Sequence, residues 1–445
     1  MAFRQVLENP AVRQRIVEYL GGPRLEDATC LFLARLDPLD PSLFERHPTA
    51  DLHSLLDESS ELARSLEDSS SMLIHLDIEY VNFDDPAAAY LDPQRVFRLQ
   101  EPLVRVIESR LLSFGIRYLH VVTGQGHHFV WKIRKRSPVA RAITDLGILA
   151  PPDPLFAHVA LLMEHLAHLL KPEAAETSEV PVEITALHVG PGRSGAREMI
   201  SIDISEYGDP LPSRMIRIPY TVYRKPWISG LIDRLGIGPQ VPGFFTLPLH
   251  EMTVRELIDR RHLPETIIDL AHRAGVEIPL AEKGTRDLLE SYRASGLIAF
   301  HRGFHAAPVL SPACLEAAST EVFPRLPPCA RHVLTFPNDL LLKPSGIQLV
   351  TRCLLAEGWH ARNIAARIAD IFQDPAHDWG PRWHHYDPAL RAAFYVRLFA
   401  GQIDQGIERG VDFNCVSQQE KQFCWDPENC SLEPCFSRIY RRQKS

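Results

Sequence analysis

Met72-Leu73-Ile74-His75-Leu76-Asp77-Ile78-Glu79-Tyr80 is an apolar run carrying two carboxylates two residues apart. In a strand, positions i and i+2 lie on the same face. The run therefore predicts a strand over 72–80 with Asp77 and Glu79 projecting together from one side of a sheet. Two like charges held that close are costly unless a cation sits between them. Downstream, Tyr118-Leu119-His120-Val121-Val122 and Phe129-Val130-Trp131 flank Thr123-Gly124-Gln125-Gly126-His127-His128. This pattern predicts a hairpin from strand 117–122 to strand 128–133. Its glycines would let backbone N–H groups approach a phosphate closely.

Met199-Ile200-Ser201-Ile202-Asp203-Ile204 is another alternating strand, with one carboxylate. Arg214, Arg217, Arg224 and Lys225 follow, and no acid lies between Pro210 and Ile232. Three carboxylates on strands form a donor set for two divalent metals in an in-line displacement at phosphorus. Glycine backbone, histidine and arginine side chains suit a triphosphate. Asp84, Asp85 and Asp209 compete as acids, but each falls in a turn, where Asp is favoured for backbone reasons. Asp203 is preferred because a strand fixes its direction. Among the hairpin histidines, His127 is expected to face the side opposite His128, and His120 remains a competitor.

In their order these elements resemble the three motifs of the archaeo-eukaryotic primase superfamily. The resemblance spans about residues 70–230. It implies an α+β fold whose catalytic domain carries an RRM-like antiparallel sheet. It also implies that Asp77, Glu79 and Asp203 ligate Mg²⁺ or Mn²⁺ and that His128 contacts nucleotide phosphate. Thr123, Gly124 and Gly126 would position the incoming phosphates, with Arg214, Arg217 and Lys225 offsetting their charge. The segment Arg217-Ile-Pro-Tyr-Thr-Val-Tyr-Arg-Lys-Pro226 is similar to the family's stretch after its third motif, but has Tyr223 where histidine is usual.

The chain has 445 residues, enough for two or three domains, and is 45% hydrophobic. No apolar run is long enough for a membrane span, and the first residues lack a signal-like apolar core, so a cytoplasmic location is expected. The net charge of −8 is uneven: residues 1–75 hold 13 acids and 7 bases, leaving only −2 for the rest. Charge therefore neither supports nor excludes a nucleic-acid partner.

Four segments are expected. Residues 1–70 read as helical, including helices over 25–34 and 52–66. Residues 71–240 alternate strands and helices, with helices over about 93–114 and 155–170. Residues 241–320 read as a helical linker region with helices over 253–260, 264–274 and 285–295. Residues 321–445 read as a helical, cysteine-containing part with helices over 346–357, 364–372 and 388–402. His158, His165 and His168 are expected to be surface or packed residues. Trp379, Trp383, His384, His385 and Tyr386 form an aromatic stretch that either stacks on unpaired bases or packs as a loop. Arg391 and Arg397 follow on a helix.

Eight cysteines without an export signal argue against a disulfide framework. Phe323-Pro324-Arg325-Leu326-Pro327-Pro328-Cys329, the helices after it and the late cysteines resemble the C-terminal domain of the primase large subunit. That resemblance implies a 4Fe–4S cluster on Cys329, Cys415, Cys424 and either Cys435 or Cys430. The alternative is Zn²⁺ on Cys415, Cys424, Cys430 and Cys435, although intervals of 8, 5 and 4 residues match no standard zinc ribbon.

The expectation is a primase or primase-polymerase that joins NTPs or dNTPs on a single-stranded DNA template. A helicase or another replication or defence partner is left open. The alternatives are a metal-dependent nuclease and a non-catalytic nucleic-acid-binding replication protein.

Overall fold

The long strand forms as the alternation predicts. In a computed structural model that describes residues 2–37, 43–149, 153–225, 231, 244–380, 383 and 386–424, it runs Ser71–Asn82. It is buried on both faces up to Leu76, then alternates: Asp77 and Glu79 are half-buried while Ile78 and Tyr80 are buried. Its antiparallel partner Gly126–Arg134 sets Ile74 opposite Trp131, Asp77 opposite His128 and Glu79 opposite Gly126. Leu119–Val122 completes the hairpin, and Leu247–Pro248 adds to its outer edge.

The described chain is mixed α+β and divides into two compact units. Unit 1 comprises residues 1–145, 177–179 and 211–289; unit 2 comprises 146–176, 180–210 and 290–445. The expected segment 71–240 thus contributes to both. The metal-ligand candidates Asp77 and Glu79 belong to unit 1, and Asp203 to unit 2.

Beside the long hairpin, unit 1 holds an antiparallel sheet in the order Phe44–His47, Leu33–Leu36, Leu62–Ser65, Met215–Arg217. The helices expected over 25–34 and 52–66 are corrected accordingly. Each contains a short helical turn, Leu25–Asp27 and Leu52–Asp57, followed by a four-residue strand. Such strands are too short to display alternation in the sequence. The helix Pro93–Ser113 starts where proline fits the first turn, and Asp92 accepts a hydrogen bond from the Arg95 N–H. Val96, Leu99, Leu103, Ile107 and Leu111 form its buried stripe. The helix Val254–Arg260 opens with a capping box of Thr253 and Glu256.

Unit 2 is largely helical, with a parallel strand pair of Val182–Ile184 and Glu198–Asp203. The helix Pro154–Ala175 is buried nearly all round, so His158, His165 and His168 are packed residues. Glu164, fully buried, accepts from Arg397 Nε at 2.9 Å and lies 3.1 Å from His301 Nε2. Asp209 is held in the same way, with both oxygens 3.2 Å from Arg391 Nη1. Arg391 and Arg397 are therefore engaged by internal carboxylates. The helices Pro344–Ala356, Ala361–Gln373 and Pro388–Asp404 lie close to their expected bounds and pack on one another.

The hairpin turn makes a strict demand at Gly126: a Cβ there would meet the Ile78 carbonyl oxygen at 1.8 Å. Gly126→Ala is expected to cost about 1–3 kcal/mol or more. Gly303, with open space around its Cβ position in the helix Gly296–Ala306, is the control. Gly303→Ala is expected to gain about 0.5–1 kcal/mol. Urea unfolding of the two variants checks the opposite signs.

Burial pushes both His165 and His168 down to about 4. The unfolded chain takes up protons at these rings below pH ~6.5, whereas the folded chain does so only near 4. Their stabilising contribution is complete above ~6.5 and is lost as pH falls through that window. These two rings are expected to account for about 2–4 kcal/mol of the fall in unfolding free energy between pH 7.5 and 5.0. A His165→Gln/His168→Gln chain is expected to show a flatter profile.

Candidate functional site

Glu79 has a cation, and the chain supplies it. Lys225 Nζ lies 2.8 Å from Glu79 Oε1. Burial opposes the lysine charge, but Glu79 outweighs it and holds the ammonium above its ordinary range. Gln125 donates from Nε2 to the same Glu79 oxygen and to the Tyr80 carbonyl, the latter at 3.3 Å. Its Oε1 accepts from Tyr90 OH at 2.7 Å, and that hydroxyl lies 3.3 Å from Tyr223 OH. Glu79 thus sits at the head of a connected polar chain, Lys225–Glu79–Gln125–Tyr90–Tyr223.

Asp77 faces His128 across the ladder, with 3.5 Å between Oδ1 and Nε2. His128 is buried, and its ring meets His75 edge-on at 4.5 Å. Burial, then the neighbouring histidines, pushes it well below the usual imidazole range, so it stays neutral at pH 7. Alternation puts His75, Asp77, Glu79 and His128 on one face and His127 on the other.

The glycines of the turn serve packing. A Cβ on Gly124 would lie 2.1 Å from the Tyr223 ring. Tyr223, standing where the resemblance expects histidine, fills that space. Thr123 N–H bonds the Gly126 carbonyl at 2.9 Å, and Gly126 N–H bonds Thr123 Oγ1 at 3.1 Å. Those two N–H groups are consumed within the turn. Arg261 clasps it from the other side, donating to the Thr123 and Gly124 carbonyls at 2.6 and 3.1 Å. Fully buried, its guanidinium is pushed down to about 10.

The basic stretch is mostly spent inside unit 1. Arg217 pairs with buried Glu61 and covers the Tyr223 ring at 4.5 Å. Arg224 bonds Glu61 through its backbone N–H at 3.0 Å and Ser59 O through its side chain at 2.7 Å. The Arg214 carbonyl accepts from Leu66 N–H at 3.0 Å. Of the basic residues expected at phosphate, Lys225 is the one shown against Glu79. In the other unit, Asp203 Oδ1 accepts the Ser205 N–H at 2.8 Å.

The metal expectations are corrected. Among the described residues no group of three or more His, Cys, Asp or Glu side chains is placed to hold a metal ion. For Mg²⁺ or Mn²⁺, the reason lies at Glu79, whose charge is already met by Lys225. For a 4Fe–4S cluster or Zn²⁺, Cys329 is buried in the helix Pro328–Thr335, Cys415 opens the helix Cys415–Glu420, and Cys424 is half-buried. Cys430 and Cys435 lie outside the described residues, as do His384 and His385. Trp379 and Trp383 pack on Phe372 at 5.3 and 4.7 Å.

Gln125 and Arg261 went unread in the sequence. Gln125 carried a signal, being the one polar side chain between the two glycines. Arg261 carried none, because only the fold brings the end of a helix 137 residues away to the Gly124 carbonyl.

No family model matches the chain, and neither a curated protein nor a solved structure matches it. Among the described residues no helix is long and apolar enough to cross a membrane.

A double-mutant cycle with Glu79→Gln and Lys225→Met is expected to return a coupling of about 1–2 kcal/mol, as for a partly exposed charged hydrogen bond. Urea unfolding measures it, and a coupling near zero removes Lys225 as the counter-ion of Glu79.

Proposed function

We propose that this chain is a primase-type nucleotidyl transferase that joins nucleoside triphosphates on single-stranded DNA. The observation that carries the reading is the shared face of Asp77, Glu79 and His128, with Lys225 at its edge. In the proposed reaction a 3′-hydroxyl oxygen attacks the α-phosphorus. A P–O bond forms, the α–β P–O bond breaks, and pyrophosphate leaves with the electron pair. Asp77 accepts the hydroxyl proton, neutral His128 orients the carboxylate, and Lys225 turns from Glu79 to the triphosphate charge. On this reading the antiparallel strands around Ser71–Asn82 are an RRM-like primase sheet. The helical part after Cys329 is the counterpart of the primase large-subunit domain and holds the template.

A second reading is favoured by one feature. Lys225 and Gln125 satisfy Glu79 without any ligand, as in a replication protein that binds nucleic acid without chemistry.

Primer-free synthesis on single-stranded DNA, with NTPs and dNTPs supplied separately, tests both. The expected result is labelled dinucleotide and longer products from the wild type. Asp77→Asn and Lys225→Met are each expected to lower the rate roughly 10²–10³-fold while DNA binding persists. DNA binding with no product from the wild type would select the second reading.

A further inference from the structure

On the face of the hairpin opposite the acid pair lies a cavity of about 660 Å³, between the start of the helix Pro93–Ser113 and the helix Val254–Arg260. That volume is ordinary for a small-molecule site. Arg95 and Arg98, one turn apart, and Arg255 from the facing helix line its walls, the Arg95 guanidinium also reaching Tyr80 OH at 3.5 Å. They stand where the positive end of a 21-residue helix dipole also favours an anion. Asp92 and Glu101 line the same walls.

The second observation is at the floor. His127 lines the cavity and is 1% exposed, and its Nε2 has no hydrogen-bond partner. Its Nδ1 is taken by His120 Nε2 at 2.9 Å, and the His120 Nδ1 lies 3.6 Å from Glu108 Oε1. The ring is held edge-on to Phe97 at 5.2 Å. His127 Nε2 is one of several buried polar atoms without a hydrogen-bond partner among the described residues, and it lines a cavity. Here it stands beneath a cavity walled by arginines.

We propose that this cavity is a nucleotide-binding site, taking a nucleoside phosphate with its phosphate on Arg95, Arg98 and Arg255. The acids next to the arginines disfavour a continuous phosphodiester backbone. They suit a ligand with one anionic end and several hydroxyl and amino donors. With Nδ1 held by His120, His127 Nε2 is the ring nitrogen left to meet the ligand. The site does not depend on the acid pair, because alternation places His127 and Asp77 on opposite faces.

The test uses the full chain carrying Asp77→Asn, so that it reads binding whether or not the chain synthesises primers. ATP, inorganic phosphate and a ten-residue oligothymidylate are titrated separately, followed by calorimetry and by the His127 ring resonance in a ¹⁵N-histidine spectrum. ATP is expected to move the His127 resonance to saturation. Arg98→Glu/Arg255→Glu is expected to weaken that response about tenfold or more. Both arginines are exposed, and Arg98→Gln alone, expected to weaken binding in the same direction, covers the case in which charge reversal disturbs folding. A stationary His127 resonance would overturn the proposal. So would an ATP affinity unchanged by the variants, or equal affinity for inorganic phosphate or the oligothymidylate.

Discussion

Register between Ser71–Asn82 and Gly126–Arg134 is the constraint on which unit 1 depends. With Asp77 opposite His128 and Glu79 opposite Gly126, both carboxylates and His128 share one face. A slip of one residue would turn Ile78 outward and drive both carboxylates into the apolar face. Gly126 pins the register because only a residue without Cβ allows the Ile78 carbonyl its close approach. Arg261 then fixes the turn from behind by holding two of its carbonyls.

Four carboxylates, Glu79 half-buried and the other three buried, are each met by a base. Glu79 has Lys225, Glu61 has Arg217, Glu164 has Arg397 and Asp209 has Arg391. In each case both partners belong to the same unit. Removing one member of such a pair leaves an uncompensated charge, which is far more costly than the pair's net contribution. Of the bases expected at phosphate, Arg217 is thereby committed to Glu61 and Lys225 to Glu79.

Much of this was legible in the sequence where periodicity ran long. The Met72–Tyr80 alternation, the hairpin and the helices near 93–114, 264–274 and 388–402 needed no tertiary information. Opposite faces for His127 and His128 followed from alternation alone. Short elements failed: Leu33–Leu36 and Leu62–Ser65 are strands that borrow their stability from neighbours remote in the chain. The site was legible in its acids and its turn but not in its neutralisation. Nothing in Arg224-Lys225 says which of two adjacent bases meets Glu79, and the spacing of the carboxylates suggested an external cation. The glycines signalled a tight turn correctly, but the group they make room for is a tyrosine ring.

The interleaving of the two units has a consequence for biosynthesis. Unit 1 needs residues up to 289 before its last contacts exist, and unit 2 reaches back to Leu146 and includes the helix Pro154–Ala175. On a ribosome, the long hairpin emerges well before the Arg261 that clasps its turn. Through that interval the hairpin is made but neither Lys225, which meets Glu79, nor Arg261, which holds the turn, has yet been synthesised.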